Sequence, residues 1–335
     1  MTTKDYSIDF IKGIAILSVI FLHNTPDKVF YQIAWIGQAV PLFLLVTGYL
    51  TYGSFQNGKK IKDYYSKSSF SKMLKRIFAP FFIITLLQCV LYYFFYSHFS
   101  WHSVISSGGI GPGSYYPWLY LQCWLILPLI IYTIDKLSVK KSISLFICIS
   151  IALELVSSII SIPPIYRLLF FRYLFHIYLG CFIYKMNVKI NIKYTILAII
   201  AMIFSITEIY TDLDFSPYFY NQWKGYHWIT AFYAVFIFLL LKKLYDFMTR
   251  CIKIQCFIQL LGKNSYEIFL CQMFIFSLFP EKVLSFIDNL YIEALIFIIL
   301  TLVLSIVPII IYKKYINNLI GKSKYIQKYN YTVSK

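Results

Sequence analysis

Apolar runs long enough to cross a lipid bilayer constrain this sequence more than any other feature. A spanning helix needs about 20 mostly apolar residues, and such runs recur throughout the 335-residue chain. Hydrophobic residues make up 59% of it and charged residues 13%, against about 45–50% and about 25% in soluble domains. These values argue against a soluble enzyme, a disordered chain or a nucleic-acid-binding module. We predict an all-α, polytopic membrane protein.

The apolar runs predict about ten transmembrane helices. Several runs are rich in Ile, Phe and Tyr, but a helix satisfies its own backbone groups inside a bilayer, which overrides strand propensity. The ten ranges are 7–24, 32–53, 77–97, 118–135, 142–160, 166–184, 192–210, 226–241, 264–280 and 290–312.

The positive charges predict how these helices are oriented. If the amino terminus and every second connection lie on the inner side, the inner segments hold 24 of the 31 Lys and Arg residues and the outer segments hold four. Cytoplasmic connections carry the excess of Lys and Arg in membrane proteins. The net charge of +17 therefore predicts that both termini are cytoplasmic, and no nucleic-acid partner is expected.

Several other classes of function lack their sequence signals. Asp5 and Asp9 flank the first apolar run and no small-residue cleavage site follows it, so we expect this run to be a helix and not a signal peptide. The seven cysteines fall in spans or at inner ends, which predicts no outer disulfides. Nucleotide-binding loops and zinc-binding histidine pairs are also missing, so we expect neither ATP-driven transport nor a metal.

The first predicted helix carries three ionisable residues. Asp9 and Lys12 are three positions apart and can pair at its inner end. His23 lies on nearly the same face but about 21 Å further along the axis, so Asp9 cannot orient it directly. A neutral histidine suits a general base or a nucleophile in group transfer. The alternative is an interfacial histidine that bonds to a neighbouring helix.

Ionisable residues also occur deep in later spans. Arg172 and His176 are four positions apart and share a helix face, and Glu154 lies well inside the preceding span. Such residues are costly in a membrane and often functional. They indicate an internal ion pair or a polar cavity for a hydrophilic acceptor. A purely structural role is equally compatible with the sequence.

A dense basic segment precedes the third predicted span. Lys75 and Arg76 lie three and four positions after Lys72, which places the three residues on one helix face. This arrangement suits them to hold phosphates of a cytosolic donor. Cations beside a membrane more often contact anionic lipids and set topology, and the residues alone favour this second interpretation.

Five segments in chain order resemble motifs of the acyltransferase-3 family of integral membrane acyltransferases. They are Asp9 to His23, Pro41 to Tyr49, Met73 to Pro80, Pro117 to Tyr120 and Leu261 to Gln272. The resemblance covers about residues 6–312. Three positions depart from the family pattern, since Lys12 and Met73 replace arginines and Gln272 replaces a histidine. Gln272 therefore receives no acid–base role.

The resemblance implies specific roles for residues of this chain. His23 would be catalytic, either as acyl carrier or as general base, and Lys72, Lys75 and Arg76 would bind the phosphates of acetyl-CoA. We assign the polar and aromatic motif residues, with the buried ionisable residues, to the substrate site. They are Asp9, Lys12, Thr47, Gly48, Tyr49, Trp118, Glu154, Arg172, His176 and Gln272.

By this resemblance, residues 1–318 form a transmembrane acyltransferase domain and residues 319–335 a short basic cytoplasmic tail. The enzyme would transfer acetyl, or another small acyl group, from cytosolic acyl-CoA to a hydroxyl of a cell-surface or lipid-linked saccharide. It would be a multi-pass protein of a bacterial plasma membrane and contact its lipids. The sequence leaves the oligomeric state open, a homo-oligomer included. A transporter or flippase of a lipid-linked sugar is the alternative; an oligosaccharide polymerase would normally show a large, charged outer loop.

Overall fold

The computed structural model describes residues 5–24, 36–95, 100–160, 168–210, 218–278, 289 and 291–311. Throughout these ranges the regular structure is helical, as the sequence predicted. The predicted tail at 319–335 lies outside them. The helices are α1 (Tyr6–Asn24), α2 (Ala39–Gln56), α3 (segments Lys67–Met73, Leu74–Phe78 and Ala79–Phe95), α4 (Trp101–Ser107), α5 (Tyr116–Lys136), α6 (Val139–Ile160), α7 (Leu174–Met186), α8 (Ile192–Tyr210), α9 (Ala231–Phe247), α10 (Ile252–Lys263), α11 (Ser265–Leu278) and α12 (Tyr291–Ile311).

Six helical segments of the described chain are long and apolar enough to cross a membrane. They are Tyr6–Asn24, Lys67–Phe94, Tyr116–Lys136, Val139–Ile160, Trp228–Phe247 and Tyr291–Ile311. The predicted ranges 32–53, 166–184, 192–210 and 264–280 overlap α2, α7, α8 and α11, respectively. Many large apolar side chains on the six segments are exposed, as expected for surfaces that face lipid.

Helix α10 was not anticipated from the sequence, because its twelve residues are too few to span and its exposed face carries charge. It packs closely against the amino-terminal half of α1 through two glycines. We call the side of the bundle that holds this half of α1 inner and the opposite side outer, after the predicted orientation. A β-carbon at Gly13 would lie 2.1 Å from the carbonyl oxygen of Ile258, and one at Gly262 would lie 1.7 Å from that of Asp9. Close approach of two helix backbones requires small residues, so these glycines fix α1 on α10.

A second glycine pair joins α2 to α7. A β-carbon at Gly48 would lie 2.3 Å from the carbonyl oxygen of Ile177, and one at Gly180 would lie 2.2 Å from that of Leu45. Residues 174–183 of helix α7 are all buried. This part of α7 therefore lies inside the bundle, where it packs against α2.

Helix α3 contains a widened turn near its inner end. Residues Leu74–Phe78 are π-helical, and the Ala79 N–H donates to the Leu74 carbonyl five residues back. Pro80 explains the widening, because proline has no N–H to donate to the Arg76 carbonyl and its ring would clash with that carbonyl in a regular helix. Single π-turns occur frequently at functional sites.

Candidate functional site

A cavity of about 480 Å³ lies among α1, α2 and the inner part of α3. This volume falls in the range of about 300–1,000 Å³ typical of ligand sites. Helix α1 lines it with one face, which carries Lys12, Ile16, Val19 and His23. Lys12 and His23 are eleven residues apart, so the cavity extends about 16 Å along the α1 axis.

Helix α2 runs antiparallel to α1 along the same cavity and contributes a partly polar wall. Thr47, Thr51 and Ser54 line the cavity toward its inner end, and Val40 and Phe43 line it toward its outer end. The Thr47 hydroxyl donates to the Phe43 carbonyl at 2.8 Å. The cavity is thus an elongated corridor whose polarity rises toward the inner side.

The inner end of the corridor is cationic. Four basic side chains line it, from Lys12, Lys59, Lys72 and Arg76, and no carboxylate occurs among the described lining residues. Burial raises the pKa of the Tyr64 phenol well above its usual range, so this side chain adds no negative charge to the cationic wall. This end is suited to an anionic ligand.

The outer end of the corridor contains His23 and aromatic side chains. Tyr115, Tyr116 and Tyr226 line this end together with Gly113. Gly113 adopts a positive φ of 84°, and a β-carbon there would lie 2.6 Å from the Phe269 ring. A glycine is therefore needed at this turn, which brings the segment before α5 against α11 at the mouth of the corridor.

Behind this mouth, His227 lies between two buried glutamates. Its two ring nitrogens bond to the carboxylates of Glu154 in α6 and Glu208 in α8. Carboxylates only accept hydrogen bonds, so a protonated imidazole, which donates from both nitrogens, satisfies the arrangement. The Tyr220 N–H also donates to Glu154 at 2.8 Å, and the Gly225 N–H donates to Glu208 at 3.3 Å. We call Glu154, His227 and Glu208 the buried triad.

The buried triad holds the segment that carries Tyr226 into the corridor. Gln38, which precedes α2, donates to the Gly225 carbonyl at 3.2 Å. The guanidinium of Arg172 lies 4.9 Å from the centre of the Tyr226 ring and 5.7 Å from that of Tyr115. Cation–π contact with both rings connects Arg172 to the outer mouth without making it a lining residue.

The structure brings five of the predicted site residues to the corridor wall, namely Lys12, His23, Thr47, Lys72 and Arg76. The predicted pair of Asp9 and Lys12 is confirmed at 2.9 Å. The other predicted residues lie outside the corridor wall. Gly48 lies in the α2–α7 contact, Glu154 in the buried triad and Arg172 among tyrosines, and Asp9, His176 and Gln272 are buried within the bundle. Tyr49 is bonded to Lys242, Trp118 is bonded to the Gly108 carbonyl, and Lys75 is exposed on α3. Their contact with substrate stays a prediction.

Several residues of the site were missed from the sequence. Lys59, Tyr64 and Tyr226 line the corridor but belong to no motif that the sequence interpretation used for the site, and Tyr266, which also lines it, lies in the fifth motif but was not assigned to the site. His227 was missed because its partners are 73 and 19 residues away in the chain. The available signal was the presence of two glutamates inside spans with a histidine at the start of another.

The bundle and its corridor define an integral membrane protein with an internal binding cavity, basic at one end and with a histidine at the other. Among the residues described, no cluster of three His, Cys, Asp or Glu side chains could hold a metal ion. The chain belongs to the acyltransferase-3 family, whose acyltransferase-domain model matches residues 5–313. No curated protein and no solved structure gives a significant match.

Proposed function

We propose that this membrane acyltransferase moves an acetyl or other small acyl group from cytosolic acyl-CoA to a hydroxyl of a cell-surface or lipid-linked saccharide. The observation that carries the proposal is the corridor, which joins a cationic inner end, with no carboxylate among its described lining residues, to His23 at its outer end. An acyl-CoA has phosphates at one end and its thioester at the end of a long, flexible arm. Such a donor matches a corridor about 16 Å long.

The inner cations would bind the donor through its phosphates. Arg76 offers a planar group that can bond to phosphate oxygens in pairs, whereas Lys12, Lys59 and Lys72 act as point charges. Thr47, Thr51 and Ser54 line the same corridor. The hydroxyls of Thr47 and Ser54 donate to carbonyls of their own helix, so their oxygens can still accept hydrogen bonds from the amide N–H groups of the donor arm. The thioester then lies near His23 while the nucleotide stays on the cytosolic side.

Two routes of acyl transfer are compatible with one histidine at the outer end. In the first, His23 takes the proton from the acceptor hydroxyl while its oxygen attacks the thioester carbonyl; the carbon–sulfur bond breaks and the thiolate of CoA takes up the proton. In the second, the imidazole attacks the thioester, the carbon–sulfur bond breaks and the thiolate of CoA leaves; the acceptor hydroxyl then attacks the acyl-imidazole, the carbon–nitrogen bond breaks and the hydroxyl proton passes to the thiolate.

The outer mouth supports a saccharide as the acceptor. Tyr115, Tyr116 and Tyr226 offer apolar rings with polar edges beside His23. Aromatic rings suit the apolar faces of sugars, and phenol hydroxyls can bond to their hydroxyls. The described residues that line this mouth carry no charge, which suits an uncharged acceptor better than a strongly acidic or basic one.

We propose further that the chain crosses a bacterial plasma membrane ten times, with both termini in the cytoplasm. The distribution of basic residues supports this orientation. A protease site or a membrane-impermeant label added at either terminus should be inaccessible from outside intact cells. Accessibility from outside at one terminus only would contradict an even number of spans.

Transfer of label tests the proposed function directly. Membranes that contain the protein should transfer label from acetyl-CoA to the surface glycan, and mass spectrometry should find a glycan mass increased by one acyl group. Membranes of the same cells without the protein are the control. Equal glycan masses would reject the proposal, and movement of a lipid-linked sugar across vesicles without any acyl-CoA would support the transporter instead.

A further inference from the structure

One hydrogen bond connects α11 to the widened turn of α3. The hydroxyl of Tyr266, in the first turn of α11, donates to the carbonyl oxygen of Ile77 at 2.6 Å. Tyr266 and Ile77 both line the corridor, and Ile77 directly follows Arg76. The bond therefore holds the backbone next to the arginine at the cationic end of the corridor.

The widened turn needs such a partner more than a regular helix would. In a π-turn the carbonyls no longer align with the N–H groups of the next α-helical turn, and Pro80 removes one of those N–H groups altogether. The hydrogen bond from Tyr266 to the Ile77 carbonyl is partly buried, which limits competition from water. The Tyr266 hydroxyl thus fixes the position of the Ile77 carbonyl within the widened turn.

The ring of Tyr266 is itself held in place. It stacks on Phe269, one turn further along α11, with ring centres 6.0 Å apart and planes at 28°. It also packs against the cluster of Met73, Ile77 and Phe78 on α3. Its position is therefore set by α11, whereas its hydroxyl acts on α3.

We propose that Tyr266 is a positioning residue, which acts through the Ile77 carbonyl to fix the π-turn that directs Arg76 toward the phosphates of the acyl donor. This inference rests on the proposed function, because it assigns the donor to the inner end of the corridor. The hydroxyl of Tyr266 bonds to the backbone of α3, so Tyr266 affects donor binding through Arg76.

The substitution Tyr266→Phe removes only the hydroxyl and keeps the ring. Losing one hydrogen bond between neutral groups should raise the KM for the acyl donor about fivefold, with kcat at saturating donor and the KM for the acceptor unchanged. Tyr178→Phe is the matched control, because it removes a buried hydroxyl that accepts from Ser142 at 3.0 Å, away from the corridor. It should leave all three constants unchanged. A Tyr266→Phe enzyme with the donor KM of the unmodified protein would overturn the inference.

A double-mutant cycle separates positioning from direct contact with the donor. In an Arg76→Gln background, Tyr266→Phe should have no further effect on donor KM, because the group that it positions is gone. A second, equal increase in KM in that background would overturn the inference and leave the proposed function intact.

Equilibrium dialysis of the purified protein with labelled CoA measures the dissociation constant of CoA. This constant gives the same comparison between variants without turnover. A fivefold weakening in Tyr266→Phe that vanishes in the Arg76→Gln background supports the inference. Protein that binds no CoA rejects it outright. Protein that binds CoA with the expected pattern but transfers no acyl group rejects the proposed reaction alone.

Discussion

The variant His23→Ala is expected to lose acyl transfer by at least about 100-fold, the lower limit for removing a group that transfers a proton or carries the acyl group in the reaction. His23 is the histidine that lines the described corridor, and it lies at the end opposite the four basic side chains. Transfer of label from acetyl-CoA to the glycan measures the effect, with the amount of protein in the membrane determined for each variant.

The control is His102→Ala, which removes a histidine from the exposed face of α4. It should keep the activity of the unmodified protein, since His102 does not line the corridor. Full glycan acylation by His23→Ala at a normal protein level would remove His23 from the mechanism.

The fate of label without acceptor distinguishes the two routes. When the protein is incubated with labelled acyl donor alone and then denatured, a covalent route leaves label on the unmodified protein and none on His23→Ala. General-base catalysis leaves label on neither, and both results keep His23 in a catalytic role.

The variant His227→Ala is expected to destabilise the fold by about 3–5 kcal/mol, the cost of removing one partner of a buried ion pair. The side chains of His227 and Glu154 are both 0% exposed and that of Glu208 is 3% exposed. Without the imidazole, two carboxylates would remain buried together with few donors. Thermal unfolding of the purified protein in detergent measures the loss.

A surface ion pair provides the control. Lys185 and Asp135 lie 3.3 Å apart with side chains 29% and 43% exposed, and Lys185→Ala should cost no more than about 1 kcal/mol. Glu208→Gln retains an oxygen that can accept from the imidazole, so it should cost less than His227→Ala. Equal unfolding temperatures for His227→Ala and Lys185→Ala would show that the buried triad does not stabilise the bundle.

The sequence predicted the helices well because their signal is local. An apolar run of sufficient length is itself the cause of a spanning helix, so α1 and α5 begin and end close to the predicted bounds. Helix α10 carries no such signal, because its stability comes from the contact of Gly13 with Gly262, which the sequence separates by most of the chain. Helix α7 begins at Leu174, directly after the 3₁₀ turn Phe171–Tyr173, and the predicted bound at 166 lies outside the described residues.

The candidate site was predicted only in part. Residues on one helix face, such as Lys12 with His23, could be placed by helical periodicity, and both line the corridor. Residues such as Gly48 and Glu154 could not, since a motif or a charge in a span does not reveal which neighbour it packs against. Gly48 lies in a helix–helix contact and Glu154 in the buried triad. Both roles depend on pairings between distant segments.

The charge of the corridor also bears on the permeability of the membrane. A polar passage through a bilayer that maintains an ion gradient would dissipate that gradient if protons or metal cations could follow it. Fixed positive charges and the absence of carboxylates along a pore raise an electrostatic barrier to cations. Because Lys12, Lys59, Lys72 and Arg76 line the inner end, the charges that would hold a phosphorylated donor would also oppose the entry of cations into the corridor.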